Sequence, residues 1–281
     1  MADETLRIAL WQTAGDPGND AAANLDRLEA AAAGAAAAGA GLLVAPEMFL
    51  SGYAIGREAA ARGAEPAEGP AFRRAAQIAR RHGIALAYGY PERGGDGAVY
   101  NAAVLVGADG TLLLNYRKTH LFAELDRSMF APGQEIGRLA QLGAFRVGLL
   151  ICYDVEHPEA VRSLALAGAD LVIVPTANMK PHERVSHLVV PARAFENSVY
   201  VAYANRVGRE GALDYLGLSC VGGPSGVNVA LAGEGEEMIV AELSRGALEA
   251  ARRFNTYLAD RRPDLYGPLA NAASARHTTA A

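Results

Sequence analysis

The chain has 281 residues, 51% of them hydrophobic and 20% charged, with 26 Lys and Arg against 31 Asp and Glu, a formal net charge of −5. That balance argues against a polyanion binder, because phosphate-tracking domains carry a clustered basic excess, and no nucleic-acid partner is expected. The composition is that of an ordinary globular protein, and a chain this long can bury a large core without disulfides or metals to staple it.

Apolar runs short enough for strands alternate with helical patterns along the sequence. In chain order the pattern predicts a strand at 6–11, a helix at 19–38, a strand at 41–45, a helix at 70–81 and strands at 84–90 and 100–106. A strand at 145–151, a helix at 158–167, a strand at 171–175, a helix at 182–198 and a strand at 199–204 follow. Strands at 227–231 and 238–243 and a helix at 244–257 complete the series. Several strands are apolar on both sides, which suits sheets covered on both faces, so the fold class is α/β with layered packing. No composition break and no repeat appears, and a single domain over 1–281 is expected, with a tail from about 270 that frays or lies on a neighbouring subunit.

Three local features qualify this reading. Residues 30–46 carry no charge, but the run is shorter than about 20 residues, is mostly Ala and Gly, and is closed by Glu47. A buried helix leading into a strand is therefore expected, and no membrane partner. Gly94-Gly95-Asp96-Gly97 reads as a turn between strands, since no helix start follows to make a phosphate cradle. Pro191 lies inside the 182–198 pattern and should kink or interrupt that helix.

Chemistry concentrates at three strand ends, where loops serve a site and strands hold them rigid. Val44-Ala45-Pro46-Glu47-Met48 delivers a carboxylate into apolar surroundings. Tyr116-Arg117-Lys118-Thr119-His120-Leu121-Phe122 places Lys118 after the apolar run 112–114. Gly148-Leu149-Leu150-Ile151-Cys152-Tyr153-Asp154 ends the most apolar strand with Cys152. Singly, each has a bland reading as a solvated charge or a small core residue. Together they supply a base, a cation and a nucleophile, the minimum for acyl transfer.

The strings Ala45-Pro46-Glu47-Met48, Tyr116 to Phe122 and Ile151-Cys152-Tyr153-Asp154 resemble the Glu, Lys and Cys motifs of the nitrilase superfamily of carbon–nitrogen hydrolases. The resemblance spans residues 5 to 266. Within the superfamily, 88–93, 118–133, 175–179 and 193–197 look like small aliphatic amidases of the 5-aminopentanamidase type. Tyr153-Asp154 stands where true nitrilases usually carry Trp-Glu, which favours an amide over a nitrile.

The resemblance implies a four-layer α-β-β-α sandwich, association into a homodimer or higher homo-oligomer, and no cofactor. It implies Glu47 as general base, Cys152 as nucleophile, and Lys118 with the backbone N–H of Tyr153 as the oxyanion hole. A second carboxylate is expected after the lysine, with Glu124 preferred over Asp126. Tyr53 and Asn178 fall where relatives line the acyl pocket. A substrate such as 5-aminopentanamide would further need a partner for its ammonium, with Asp126, Glu183 and Tyr53 as candidates.

The remaining residues point nowhere else. His182 and His187 are five apart without an acidic ligand pair, so no metal site is expected. Cys220 precedes the turn cluster Gly222-Gly223-Pro224-Ser225-Gly226 and reads as a core filler. Two cysteines cannot make a secreted disulfide framework, and the acidic N-terminus lacks the basic region of a signal peptide, so the expected setting is cytoplasmic. The alternatives to an amidase are an N-carbamoyl-amine hydrolase using the same residues and a catalytically silent interaction protein on the same fold.

Overall fold

A computed structural model describes residues 4–271. The first half runs β1 (Thr5–Gln12), α1 (Ala21–Ala37), β2 (Leu42–Val44), α2 (Arg57–Gly63), α3 (Pro70–His82), β3 (Ala85–Arg93), β4 (Val99–Val106), β5 (Leu112–Arg117) and α4 (Ala123–Arg127). Next come β6 (Ala140–Leu142), β7 (Phe145–Leu149), a 3-10 turn (Cys152–Glu156), α5 (Pro158–Leu166), β8 (Leu171–Pro175), a π-helical turn (Val185–Val189) and α6 (Val190–Asn197). The chain then forms β9 (Tyr200–Ala204), the hairpin β10 (Val207–Glu210) and β11 (Leu213–Leu216), β12 (Cys220–Gly222), β13 (Asn228–Leu231), β14 (Glu237–Ser244), α7 (Arg245–Phe254) and α8 (Gly267–Asn271).

Two six-stranded sheets result, ordered β14-β1-β2-β3-β4-β5 and β13-β12-β9-β8-β7-β6. Each has three parallel strands at its centre, β1, β2 and β3 in one and β7, β8 and β9 in the other, with antiparallel strands outside. Successive side chains of a strand point to opposite faces, and both faces here are covered. In β1, Ile8 and Leu10 join the core shared by the two sheets, whereas Ala9 and Trp11 pack with α1 and α3. The same division separates Leu42 and Val44 from Leu43 in β2, and Ala85 and Ala87 from Leu86 and Tyr88 in β3. Helices α5 and α6 contribute Val161, Leu164, Val190 and Ala194 to the core on the second sheet. The layers are therefore α-β-β-α, as the motifs imply.

The uncharged run becomes the second half of α1 followed by β2. Asp20 caps α1 by accepting from Ala23 N at 2.8 Å, and Leu25, Leu28, Ala31, Ala32 and Ala35 form its buried stripe. Each fully buried leucine contributes roughly 1.5–3 kcal/mol, while the alanines let the helix lie close to its neighbours. Among the described residues no helix is long and apolar enough to cross a membrane.

Pro191 stands in the first turn of α6, directly after the π-helical turn. The backbone stays helical from 184 to 197, so the expected kink or interruption takes the form of the π-helical turn ahead of the proline rather than a break. The strand expected to reach 151 stops at Leu149. The hairpin β10–β11 and the three-residue β6 and β12 escaped the pattern because such short or polar strands are specified by pairing rather than by periodicity, and α2 and α4 because seven and five residues are too few to show a helical period. Cys220 lies in β12, which runs directly into the turn at 223–227, and it is fully buried in the core, as its reading as a core filler expects. The expectation for the tail from about 270 falls, beyond Asn271, outside the described residues.

Candidate active site

The carboxyl ends of β2, β5, β7 and β8 converge, and the residues just beyond them form the site. Glu47 follows β2 by three residues and is fully buried. Its turn is held against β3: Gly89 N donates to Pro46 O at 3.1 Å, and Leu50 N donates to Gly89 O at 3.3 Å. A Cβ at Gly89 would stand 2.7 Å from Glu47 Cα, so glycine is what permits this approach. The second sheet joins through Glu47 N, which donates to Thr176 O at 3.3 Å beyond β8.

Lys118 follows β5 and is also fully buried. Its ammonium donates to Glu47 Oε1 at 2.8 Å and to Asp126 Oδ2 at 2.6 Å. Asn101 in β4 donates to the same Glu47 Oε1 at 2.6 Å, and Phe122 N donates to Asp126 Oδ2 at 2.8 Å. Glu47 Oε2 and Asp126 Oδ1 are buried without a partner. One cation between two carboxylates thus leaves one oxygen of each without a hydrogen-bond partner.

Cys152 begins the 3-10 turn with φ +46°, a left-handed backbone unusual for a residue with a side chain, and remains 9% exposed. Burial pushes its thiol well above the usual range; the Glu47 carboxylate adds to the rise and the Lys118 ammonium opposes it. Burial likewise raises Glu47 despite the attraction of Lys118. Burial works against the Lys118 ammonium, but the negative charge around it prevails and holds its pKa well above the ordinary value. At neutral pH the thiol therefore keeps its proton, and a base must remove it.

The structure corrects the preference for Glu124. In α4 residues 124 and 126 lie about 200° apart around the helix. Glu124 consequently faces solvent while Asp126 is fully buried on Lys118. Asp126 is corrected as well in its role as an ammonium partner at the far end of the pocket, because its charge is committed to Lys118. Glu183 is half-buried, outside this ion-pair cluster.

Tyr53 is buried, with its ring centroid 5.7 Å from Lys118 Nζ. Asn178 is buried too, but its Nδ2 donates to His182 O at 3.2 Å, and Asn205 braces its backbone through Oδ1 at 2.7 Å. Tyr153 is half-buried and packs its ring edge-on to Phe122 at 5.4 Å and to His157 at 4.7 Å.

Sequence reasoning missed Asn101 and a brace behind Glu47. Arg206 Nη1 donates to the carbonyls of Glu47 at 3.4 Å and Met48 at 3.3 Å, and its Nη2 pairs with Glu210 Oε1 at 2.8 Å. Glu210 Oε2 accepts from Tyr53 N and Ala54 N, each at 2.9 Å, and from Tyr215 Oη at 2.7 Å. A lone Asn within the apolar run 100–106 was the available signal for Asn101; nothing local marks Arg206.

The sequence matches the family Carbon-nitrogen hydrolase over residues 7–253. It is 50% identical to "Hydrolase in pqqF 5'region" of Pseudomonas protegens, covering 95% of this chain and 92% of that protein. It is 41% identical to an (R)-stereoselective amidase of Pseudomonas sp, covering 93% of each. The fold superposes with a TM-score of 0.80 on a mutant of the amidase from Nesterenkonia sp. AN1, 35% identical, covering 93% of this chain and 95% of that one. That structure shows covalent addition of the acetamide moiety of fluoroacetamide at its active site cysteine.

Proposed function

The chain belongs to the carbon-nitrogen hydrolase family, in the nitrilase superfamily, and on that premise we propose that it is an amidase that hydrolyses small linear aliphatic amides to the carboxylic acid and ammonia. The observation that carries this reading is the buried Glu47–Lys118–Asp126 cluster, with an unpartnered Glu47 Oε2, beside a thiol whose pKa is raised. A binding scaffold has no need to bury three charges around a cysteine, since such burial costs stability unless the charges are used.

In this mechanism Glu47 Oε2 takes the Cys152 proton as the sulfur attacks the amide carbon. The carbonyl electron pair moves to oxygen, where the Lys118 ammonium and the Tyr153 N–H stabilise it. Glu47 then returns the proton to nitrogen, the C–N bond breaks, ammonia leaves and a Cys152 thioester remains. Water gives a proton to the Glu47 carboxylate and attacks the thioester carbon. The C–S bond breaks, the thiolate recovers that proton and the acid departs. Asp126 keeps Lys118 charged and oriented throughout.

The test is to incubate the protein with a panel of aliphatic amides and terminal ureido compounds, assay ammonia and carbon dioxide, and look for the acyl adduct on Cys152 by mass spectrometry. Ammonia with an adduct from amides is the expected result. Carbon dioxide release would assign an N-carbamoyl-amine hydrolase, and absence of turnover across the panel would favour a silent scaffold. 5-Aminopentanamide is the finer proposal: a kcat/KM higher for the isosteric hexanamide would overturn that substrate alone. A homodimer or higher homo-oligomer belongs to the same proposal, and a monomer in sedimentation velocity would overturn it.

A further inference from the structure

Asp154 has no role in the amide chemistry above, yet it is fully buried two residues beyond the nucleophile. Its carboxylate accepts from five donors on two separate segments. Oδ2 takes Tyr116 Oη at 2.9 Å and Ile151 N at 3.1 Å. Oδ1 takes Thr119 Oγ1 at 2.9 Å, His120 N at 2.9 Å and His120 Nδ1 at 2.8 Å. Tyr116, Thr119 and His120 bracket Lys118, and Ile151 immediately precedes Cys152.

The arrangement saturates the carboxylate, which has about four lone-pair sites. It also spans the two sheets, since Tyr116 belongs to β5 in one and the Cys152 turn follows β7 in the other. Asp154 N donates to Ile151 O at 3.0 Å, so its backbone and side chain together close the turn around Cys152. A left-handed residue with a side chain persists only where its surroundings over-determine it, and this closure supplies that constraint. On the other side the His120 ring stacks on His157 at 4.0 Å, and His157 Nδ1 lies 3.0 Å from Tyr153 O. The lysine loop is thereby tied to both ends of the nucleophile turn.

We propose that Asp154 is a positioning residue that sets the placement of the Cys152 sulfur relative to Lys118 and Glu47, a role that rests on the amidase reading for its rate but not for its geometry. The experiment uses the full chain carrying Asp154→Asn. An amide NH2 would oppose hydrogen-bond donors whichever way it is turned, so part of the tie is lost without a change in size. The expected result is a kcat lower by about 10²-fold with KM changed by less than about three-fold, because misplacement by roughly 1 Å costs that much in rate. The pH profile of Cys152 alkylation by iodoacetamide should change as well.

Tyr116→Phe and Thr119→Val each remove one donor and guard against a failure of Asp154→Asn to fold; each should lower kcat and alter alkylation to a smaller degree. A folded Asp154→Asn protein with the parent kcat and alkylation profile would overturn the proposal. So would Tyr116→Phe and Thr119→Val proteins that match the parent in both, or losses wholly explained by the unfolded fraction. If the parent hydrolyses no amide, the alkylation profile still reads the placement of Cys152, which separates failure of this proposal from failure of the amidase reading.

Discussion

The Lys118 ammonium lies 2.6 Å from Asp126 Oδ2, and this ion pair decides which of two nearby acidic residues belongs to the site. Asp126→Asn should lower kcat/KM for a short amide such as butyramide by at least about 10²-fold, since it removes charge from the group that orients the oxyanion donor. Glu124→Gln, on the exposed face of the same helix, should stay within about two-fold, as surface substitutions usually do. Steady-state kinetics of the two variants side by side decides the matter, and the reverse order would restore Glu124.

Gly89 and Glu47 come so close that no side chain fits between them. Gly89→Ala should displace the turn that bears Glu47 and reduce kcat/KM by about 10²-fold, with a loss of about 1–3 kcal/mol in stability from overpacking. Chemical denaturation and amide kinetics on the same preparation measure both. An alanine variant with parental activity would show that the base tolerates movement.

The two cysteines should separate cleanly. Cys152→Ala removes the sulfur proposed as the nucleophile and should abolish hydrolysis while leaving a folded protein, whereas Cys220→Ala should remain within a few-fold of the parent. Burial pushes the Cys220 thiol up to about 12, and its side chain is fully enclosed. Iodoacetamide should therefore label Cys152 first, because Cys152 is reachable and has Glu47 as a nearby base. Peptide mapping that found Cys220 modified first would reverse these roles.

Glu210 gives a pH prediction. Burial alone would raise its carboxyl, but the Arg206 guanidinium, the N–H groups of Tyr53 and Ala54 and the Tyr215 hydroxyl hold it below the ordinary 4.5. A lowered folded pKa means that the unfolded chain binds the proton first. The stabilisation is thus fully present above about 4.5 and is lost as pH falls through the folded value. Glu210→Gln should lower stability at pH 7 by about 2 kcal/mol, the scale of a hydrogen bond to a charged partner. The gap between parent and variant should narrow below pH 4.5 in thermal unfolding, and a gap independent of pH would contradict this account.

The proposed site residues Glu47, Lys118 and Cys152 stand out in the sequence because each follows an apolar run, and a chemical group at the end of a buried run is visible locally. The order of most strands was legible for the same reason: β1, β3, β8 and β14 are long or apolar enough to show their period. The hairpin β10–β11, Val-Gly-Arg-Glu paired with Leu-Asp-Tyr-Leu, was not, since its partners rather than its own residues make it a strand.

What the sequence determined by itself is the chemistry: a thiol, a carboxylate and an ammonium, delivered by rigid strands to loops, on a chain apolar enough to cover two sheets on both faces. What the tertiary structure decided is geometry between distant segments. It selected Asp126 over Glu124 through helical phase, placed Asn101 on Glu47 from a largely apolar buried strand, and set Arg206 behind the base across 159 residues of chain. A polar side chain shows its own chemistry in one dimension, but the partner that satisfies it when buried is set by where the chain returns in three.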